Sequence, residues 1–519
     1  MNDVLVVGAG PVGLVTACDL LRQGIPVRVV DAGMADTAHS RAIVVWPRTL
    51  ELLRRIGVAG RLAARGRRLD AVSFHSERRR IGTVRLSGLT DTPYPYAVTV
   101  PQTETELVLR ERLTELGGRI ERGVRLVQAA DLPSGGARAV LAGPDGAAEH
   151  VVCRWLVGAD GSQSSVRDAL GVAFPAAGRE VHFAIGDGPL DGGQAADELV
   201  YAYSRAGALG IAPLADGAFR IAFSVPGWPA GGPPPPRELF QQMVDDLAPR
   251  PGRLAQLRWS TVFRARRRTA TTFRVGSCFL AGDAAHVFSA AGAQGMNTGI
   301  QDGVALAWRL GGVERGALDV GVLEGYDAER RRSVERVSTA VTKQTEWGLL
   351  RGRGRIAARD ALVRAADRSG VLQRFGAPLI SQTDTDYGPP RALGRPGSRL
   401  RAGMRLPVFP ADLGHDSPGP LPQVDPDGFT VLARTDGARD GAWHERLAAL
   451  VGAAGERGRV HDLAGHPGLG GLFGRGPTAV VVRPDGHVAA VVGGADPGDL
   501  TAALDRAGVV GARPVGAAR

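Results

Sequence analysis

The chain has 519 residues, of which 44% are hydrophobic and 22% are charged, values that are ordinary for a globular protein of several domains. Its net charge is +10, but Lys343 is the only lysine, and the arginines are spread along the chain among acidic residues. This distribution favours a solvated basic surface over a nucleic-acid interface, so no nucleic-acid partner is expected.

Cysteine usage and the first residues predict the compartment. Cys18, Cys153 and Cys278 lie in apolar segments and show neither a CxxC pair nor zinc-ligand spacing. We therefore expect buried free thiols and no metal site. Because an apolar strand begins at Val4 and no apolar run reaches membrane-spanning length, we expect no signal peptide, no membrane partner and a cytoplasmic location.

The first 31 residues predict a dinucleotide-binding βαβ unit. An apolar strand (residues 4–7) is followed by Gly8, Gly10 and Gly13, which form a G-x-G-x-x-G pattern. The first glycine permits a tight turn, the second lets a pyrophosphate approach the backbone, and the third lets the following helix pack closely. Asp31 ends the second strand, at the spacing typical of a carboxylate that binds a ribose.

The next segment holds two candidate ligand contacts. Arg41 lies in a polar loop, where spacing alone does not decide between a contact to the cofactor and an ordinary solvated arginine. Residues 71–100 alternate loosely and predict strands of a sheet. A helix follows, with Thr103 as its predicted N-cap and Glu106 as the partner in a capping box. Gln102 lies just before this helix, where its amide can reach a ligand.

The middle of the chain predicts two antiparallel units. Residues 124–158 contain strands separated by a Pro-Asp-Gly turn, and the last strand leads to Asp160 beside a glycine that admits a ligand. From residue 172 to residue 264 the pattern changes to short β-like pieces with one helix. These pieces predict a second, antiparallel sheet.

A parallel-sheet pattern then returns. An apolar strand ends at Gly282 and Asp283, and a loop rich in glycine and alanine (290–295) leads into a helix that starts near Met296. The N-terminal amides of this helix would face whatever the loop covers.

The rest of the chain predicts helices and a separate C-terminal unit. Helices continue to about Phe375, and a stretch rich in proline and glycine from 389 to 422 predicts a linker. The remaining residues predict a strand, a helix, a hairpin and a final helix.

Three separated segments together carry a family resemblance: GAGPVG with Asp31, GADG at 158–161 and GDAAH at 282–286. The combination resembles the class A flavoprotein monooxygenases, the aromatic hydroxylases built like para-hydroxybenzoate hydroxylase. It is most similar to the aromatic polyketide hydroxylases of antibiotic biosynthesis, and the resemblance covers essentially the whole chain.

The resemblance implies an α/β fold with three parts. These are an FAD-binding Rossmann-like (GR2-type) domain, an inserted antiparallel β-sheet substrate domain, and a C-terminal thioredoxin-like domain that lacks CxxC. The C-terminal domain would serve packing or assembly, and the protein would be a monomer or a homodimer. The implied ranges are 1–172 and 265–390 for the FAD-binding domain, 173–264 for the substrate domain, 391–422 for the linker and 423–519 for the thioredoxin-like domain, with 71–100 open between the first two.

The same resemblance implies the cofactors and their ligands. The chain would bind FAD, take reducing equivalents from NADPH or NADH, and consume O2. Asp31 would bind the adenosine ribose, Asp160 would serve FAD and NAD(P)H, and Asp283 would bind the ribityl chain. The implied cofactor-binding residues are Gly8, Gly10, Pro11, Val12, Gly13, Asp31, Arg41, Gln102, Asp160, Gly282, Asp283, Gly292, Gln294, Gly295, Met296 and Asn297.

The chain departs from the family pattern at three positions. Ala290 stands where the family often has a proline, and Ala293 replaces the second glycine of a pair. A role of that proline's carbonyl is therefore not carried over to this chain. In a later helix, Arg332 occupies the proline position of the family's YxxER-x-P pattern.

The resemblance places an aromatic substrate under the flavin, beside the antiparallel sheet. A flavin hydroperoxide would pass its distal oxygen to an electron-rich ring of a polycyclic phenol or quinone, so no catalytic side chain is predicted. Aromatic residues in strands are more often core than ligand contacts. The candidates for lining the substrate pocket are His182, Tyr201, Tyr203, Trp228, Ala290 and Ala291.

Other functions stay open on the sequence. A Baeyer–Villiger or other ring-modifying oxygenase would use the same fold. A flavin-dependent halogenase is less favoured, because Lys343 lies far from the expected site and the WxWxIP signature is missing. An NAD-dependent dehydrogenase would leave GDAAH unexplained. A non-catalytic flavoprotein is the remaining alternative, and NADPH oxidation in the presence of substrate would discriminate it.

Overall fold

A computed structural model of the chain describes residues 2–35, 42–229, 232–289, 291–388, 399–408, 424–434, 459–463, 470–473, 477–493 and 497–509. Arg41, Ala290 and much of the predicted linker lie outside these ranges. Within them, no helix combines the length and the apolar character needed to span a membrane.

The strands of the described residues form four sheets. In chain order they are β1 (Asn2–Val7), β2 (Val27–Asp31), β3 (Val44–Val45), β4 (Arg67–Leu69), β5 (Ala71–Ser76), β6 (Arg79–Arg85), β7 (Ala97–Thr99), β8 (Ile120–Arg122), β9 (Arg125–Asp131), β10 (Ala137–Ala142), β11 (Ala148–Gly158), β12 (Ala176–Asp191), β13 (Glu198–Ser204), β14 (Gly207–Pro213), β15 (Ala218–Ser224), β16 (Arg253–Leu254), β17 (Trp259–Thr269), β18 (Arg274–Val275), β19 (Cys278–Leu280), β20 (His286–Val287), β21 (Thr430–Arg434), β22 (Arg459–Asp462), β23 (Thr478–Val482) and β24 (Val488–Gly493).

The α-helices pack on both sides of these sheets. In chain order they are α1 (Pro11–Arg22), α2 (Pro47–Arg54), α3 (Ala59–Arg65), α4 (Gln102–Glu115), α5 (Ser165–Ala169), α6 (Arg237–Leu247), α7 (Gly295–Glu314), α8 (Glu324–Gly348), α9 (Arg353–Arg368), α10 (Ala377–Ser381), α11 (Gly470–Phe473) and α12 (Pro497–Arg506). Short 3-10 turns occur at Gly282–Ala284 and Ala291–Ala293.

The first sheet has a parallel centre. Its order is β18-β19-β11-β1-β2-β8, and β1 pairs in parallel with both β2 and β11. The residues of β1 from Val4 to Val7 are at most 4% exposed, as expected for a central strand that is covered on both faces. The predicted antiparallel unit at 124–158 is present, since β10 pairs antiparallel with β9 and with β11.

The second sheet is mixed, because the strands of residues 172–264 pair antiparallel, as predicted, and β5 joins them through a parallel pair. Its order is β20-β17-β12-β15-β14-β13-β5-β6, with β16 beside β12. All of its pairs are antiparallel except β13 with β5, which run parallel. The exception arises because β5 and β6 come from residues 71–85, far from the rest of the sheet in sequence.

The two faces of the second sheet have different partners. Ala184 and Val200 belong to an apolar cluster with Phe240 of α6. Their neighbours in sequence, Ile185 and Tyr201, point to the opposite face, because side chains alternate along a strand. This second face looks toward the first sheet.

The described C-terminal residues contain a four-stranded sheet of order β22-β21-β23-β24. β21 and β22 run parallel, whereas β21 with β23 and β23 with β24 run antiparallel. The predicted hairpin between two apolar strands is β23–β24. The proposed domain boundaries stay predictions.

Candidate functional site

A cavity of about 640 Å³ is lined by both large sheets. One wall, here called the loop wall, consists of the glycine loop 8–12, Asp31, Asp283 and residues 294–296. The other wall, called the sheet wall, comes from one face of the second sheet. Its residues are Ile185, Leu199, Tyr201, Gly210, Ala212, Arg220, Ala222 and Phe263.

The glycine loop has the geometry that the sequence predicts. Gly8 has φ +106°, and a Cβ atom there would lie 2.3 Å from the carbonyl oxygen of Ala159. At Gly13 a Cβ atom would lie 2.0 Å from the oxygen of Gly8, so the close packing of α1 requires glycine. Gly10 differs, because nothing lies within 4 Å of the corresponding position. The open space is therefore beside the second glycine.

The N terminus of α1 is suited to a phosphate. Gly10 is its N-cap and provides no side-chain hydrogen bond, and Pro11 occupies the first turn. The amides of the first turn of a helix have no partner within the helix, and the helix dipole favours an anion there. Pro11 and Val12 both line the cavity.

Asp31 serves the glycine loop as well as the cavity. Its Oδ2 accepts the Ala9 N–H at 2.6 Å, and its Oδ1 accepts the Gly33 N–H at 2.7 Å. Arg122 approaches Oδ1 at 3.5 Å and also lines the cavity. Because a carboxylate has about four lone-pair positions, Asp31 retains capacity for a ribose hydroxyl.

Asp160 lies in the cavity wall just after β11, as predicted, but its carboxylate is bound locally. Oδ1 accepts the Ser164 hydroxyl at 2.5 Å, and Oδ2 accepts the Ser165 hydroxyl at 2.9 Å and the Val166 N–H at 3.1 Å. It therefore fixes the start of α5. This local bonding of Asp160 was not predicted.

Gln102 lines the cavity, but the predicted capping box is wrong. Helix α4 begins at Gln102 itself after Pro101, and no side chain caps it. The Gln102 Nε2 donates to Glu106 Oε1 at 2.8 Å. Glu106, the expected partner of Thr103 in the capping box, is therefore bonded to Gln102 instead. Glu106 also lines the cavity and was missed as a site residue.

The turn after β19 places Asp283 in the cavity wall. Gly282 has φ +62°, and its N–H donates to Asp302 Oδ2 at 3.0 Å. Asp302 is fully buried and also contacts His286 at 2.6 Å and Arg330 Nε at 2.6 Å. Burial alone would raise the pKa of Asp302, but His286 and Arg330 lower it below its usual value.

The loop before α7 supplies a further part of the loop wall. Gln294, Gly295 and Met296 line the cavity at the N terminus of the helix. The Gln294 Nε2 donates to the Ile380 carbonyl at 3.1 Å, whereas its buried Oε1 has no partner among the described residues. A buried oxygen without a partner at a cavity wall is consistent with a bound ligand that donates to it.

Two predicted residues of this loop do not line the cavity. Asn297 instead accepts the Trp46 N–H at 2.9 Å and donates to the Val44 carbonyl at 2.8 Å, so it holds the loop against β3. Gly292 has φ +81° within its turn, and a Cβ atom there would lie 3.0 Å from Gln344 Oε1. Ala293 adopts φ +52° and does line the cavity. The alanine that replaces a family glycine is thus held in a conformation that favours glycine.

Of the predicted substrate residues, Tyr201 lines the cavity. Its ring stacks on Phe74 with centroids 5.9 Å apart. Burial raises the pKa of Tyr201 to about 12, with opposing hydrogen bonds from the Gly292 backbone and Gln344. The phenol is therefore protonated near neutral pH.

Tyr203, His182 and Trp228 do not line this cavity. Tyr203 is two residues further along the same face, where it meets Gly348 and the Arg359 guanidinium. His182 lies on the face of β12 that carries Ala184 and contacts Glu180 at 2.7 Å. Trp228 follows β15 and packs against the cluster on the α6 side. Ala291 starts the 3-10 turn, and Ala290 lies outside the described residues.

A buried ion pair lies on the sheet wall and was missed by the sequence analysis. The Nε and Nη2 of Arg220 both donate to the Asp187 carboxylate, the second at 2.9 Å. Trp259 Nε1 donates to the same carboxylate at 2.9 Å. Side chains alternate between the two faces of a strand, so Asp187 on β12 and Arg220 on β15 could have been placed on the cavity face only if the face of each strand that meets the cavity had been known.

Comparison with known proteins supports a dinucleotide site at the loop wall. Residues 1–341 match the protein family described as FAD binding domain. A 6-methylpretetramide 4-monooxygenase from Streptomyces rimosus is 39% identical over 335 residues, covering 63% of this chain and 59% of that protein. A 12-dehydrotetracycline 5-monooxygenase/anhydrotetracycline 6-monooxygenase from Streptomyces rimosus subsp. rimosus is 31% identical over 516 residues, or 94% of each chain.

A solved structure gives the same result for the fold. The anhydrotetracycline hydroxylase from Streptomyces rimosus superposes with a TM-score of 0.76 at 28% identity and covers 99% of each chain. The chain therefore belongs to the FAD-binding family of flavin-dependent monooxygenases. The predicted family, the FAD cofactor and the mixed α/β fold are confirmed.

Proposed function

We propose that this monooxygenase hydroxylates a polycyclic aromatic polyketide, or a related phenol or quinone, with O2 as the oxygen source and NADPH or NADH as the reductant. The observation that carries the proposal is the single cavity with a dinucleotide-type loop wall and a largely apolar sheet wall. Relatives named for tetracycline-type substrates support the choice of substrate class.

The loop wall would hold FAD along its length. The open space at Gly10 and the N terminus of α1 suit the pyrophosphate, Asp31 suits the adenosine ribose, and Asp283 suits the ribityl chain. Bound FAD supplies the activation of O2 and the transfer of one oxygen atom. The N terminus of α7 lies at the cavity wall, where Gly295 and Met296 line it, and directs partial positive charge into the cavity.

The sheet wall would position the substrate and exclude water. Leu199, Ala212, Ala222 and Phe263 provide an apolar surface that suits a flat fused ring system. The Arg220 guanidinium lines the same surface, so a substrate oxygen can be oriented there. We assign no proton transfer to a side chain.

The C-terminal sheet fits the proposed thioredoxin-like domain, because it combines a parallel pair with a hairpin. It would not perform thiol chemistry, since the chain has no cysteine after Cys278. The described thiols, Cys18, Cys153 and Cys278, are buried and free, which supports the proposed cytoplasmic location.

The first experiment is to record the visible spectrum of the purified protein and identify the released chromophore by mass. The holoenzyme is then incubated with polycyclic phenols, NADPH or NADH, and labelled oxygen gas. We expect one labelled oxygen atom on an aromatic carbon of the product. Insertion of that atom beside a carbonyl would identify a Baeyer–Villiger oxygenase instead. Reductant oxidation without any labelled product from any phenol would contradict the proposed substrate class.

A further inference from the structure

We infer that the C-terminal sheet helps to position the FAD site through a continuous chain of contacts between buried polar side chains. The chain runs from Asp302 through Arg330, Tyr387 and His487 to Asp485, and is called here the Asp302–Asp485 chain. All five residues are at most 6% exposed. Nothing in the proposed oxygenation chemistry requires these contacts, so they call for another role.

The inner end of the chain fixes the turn that carries Asp283. Asp302 Oδ2 accepts the Gly282 N–H at 3.0 Å, and Gly282 immediately precedes Asp283. Its Oδ1 accepts Arg330 Nε at 2.6 Å, and Arg330 Nη2 also donates to the Thr298 carbonyl in the first turn of α7 at 3.1 Å. Arg330 therefore contacts the backbone of α7 directly and the turn at Gly282 through the Asp302 carboxylate.

The middle of the chain leaves the FAD-binding family region. Arg330 Nη1 donates to the Tyr387 hydroxyl at 2.5 Å, and the Tyr387 ring packs on the His487 ring with centroids 4.1 Å apart. The Tyr387 N–H donates to Gly403 O at 2.7 Å, and the Gly403 N–H donates to Val488 O in β24 at 2.7 Å. Tyr387 is thus joined to the C-terminal sheet by backbone as well as by its ring.

The outer end of the chain is held by a second pair of charges. His487 Nδ1 lies 3.3 Å from Asp485 Oδ1, and Arg483 Nε donates to the same oxygen at 3.1 Å. Arg483 Nη1 also donates to Glu329 Oε1 at 2.7 Å. Glu329 is the neighbour of Arg330 on α8. Two consecutive residues of this helix therefore make contacts with the C-terminal part of the chain, Glu329 with Arg483 and Arg330 with Tyr387.

These contacts imply reciprocal coupling between the two ends. Removing one partner leaves a charged or polar group buried without its hydrogen bond, and the turn at Gly282 can then shift. If the sheet stabilises the arrangement that binds FAD, then FAD must stabilise the sheet by the same factor. Tyr387 and His487 are accordingly positioning residues that act through Arg330 and Asp302.

The test uses the full chain with FAD removed and added back. Hydrogen exchange at the amides of residues 478–493 is compared with and without saturating FAD, and FAD affinity is measured by flavin fluorescence. We expect FAD to slow exchange in the parent protein. Tyr387→Phe should abolish that slowing and weaken FAD binding by about tenfold, within the usual range of coupling.

A matched control separates positioning from simple docking. Asp427→Asn weakens a different contact between the same parts of the molecule, the 2.8 Å ion pair with Arg22 of α1. We expect this variant to keep both the FAD-dependent slowing and the parent affinity. If Tyr387→Phe does not fold, His487→Phe keeps an aromatic ring on Tyr387 while removing the contact with Asp485, and it should show the same loss.

Two results would overturn the inference. One is exchange at 478–493 that does not respond to FAD in the parent protein, although FAD binds. The other is a response that persists unchanged in Tyr387→Phe, or in His487→Phe if that variant must be used. Failure of the parent to oxygenate any aromatic compound would leave this result intact, because neither readout requires turnover.

Discussion

The two walls of the cavity are built in different ways. The loop wall depends on backbone, in short segments where glycines and acids follow one another in sequence. The sheet wall depends on side chains from every second position of five strands spread between residues 185 and 263. A ligand whose chemistry is constant can be bound by backbone geometry, whereas a surface for a variable substrate is adjusted by replacing single side chains.

The largest expected effect separates two glycines of the G-x-G-x-x-G pattern. Gly13→Ala places a Cβ atom against the Gly8 carbonyl, so we expect a loss of unfolding free energy of about 4 kcal/mol or more, together with loss of FAD. Gly10→Ala meets no atom within 4 Å and should keep the stability of the protein. It should still weaken FAD binding, because the added methyl group occupies the space for the pyrophosphate.

Urea unfolding of the FAD-free protein and an FAD titration measure the two effects separately. Equal stability losses in the two variants would mean that the second glycine is required by packing alone. The loop wall would then lack the open position that the proposed cofactor geometry uses.

The next effect concerns the buried charges of the sheet wall. Arg220→Met leaves the Asp187 carboxylate buried without its cation, which should cost about 3 to 5 kcal/mol of unfolding free energy. Adding Asp187→Asn to this variant removes the unpaired charge and should recover most of the loss. Urea unfolding of the parent, the single variant and the double variant measures these differences in unfolding free energy. A single variant with the stability of the parent would show that solvent or another group already screens Asp187.

The same contrast explains what could be predicted from the sequence. Gly8 and Gly13 occupy the tight turn and the close helix packing that their spacing predicts, because that spacing reports a local backbone requirement. Their assignment to the cofactor, like that of Asp31, stays a prediction. The strands of residues 172–264 pair antiparallel, as predicted, but the parallel pairing of β13 with β5 was not predicted. That pairing joins residues separated by more than a hundred positions and leaves no local pattern.

The sheet wall was predicted poorly for a related reason. Tyr201 and Tyr203 are equivalent in a sequence pattern of period two, and the cavity ends between them. His182 was a candidate for lining the substrate pocket, but it lies on the face of β12 that is turned away from the cavity. Asn297 was assigned to the cofactor, but its amide is used by the backbone of β3. In each case the position depends on tertiary packing, which a single sequence does not specify.

A smaller effect compares two acids of the loop wall. Asp283→Ala should weaken FAD binding by about ten- to a hundredfold, because a hydroxyl loses a charged acceptor. Asp31→Ala should lower both the FAD affinity and the melting temperature of the FAD-free protein, since Asp31 also holds the Ala9 and Gly33 amides. An FAD titration and thermal unfolding of the FAD-free variants provide the comparison. Unchanged FAD affinity in Asp283→Ala would remove that residue from the cofactor site.

The smallest effect uses the two tyrosines of β13 as a matched pair. Tyr201 lines the cavity, whereas Tyr203 is enclosed beside Gly348, and Gln344 lowers the pKa of both phenols against the larger rise that burial causes. Each replacement by phenylalanine removes one buried hydroxyl, so we expect similar and small changes in stability, of about 1 kcal/mol. Only Tyr201→Phe alters the surface that meets the substrate, so it should change KM or the product formed per NADPH oxidised by about fivefold. Tyr203→Phe should change only the melting temperature. Equal kinetic effects in both variants would show that the loss of a tyrosine hydroxyl acts through Gln344 and the loop at Gly292, rather than through the cavity surface itself. The sheet wall would then depend on the loop before α7, which also supplies part of the loop wall.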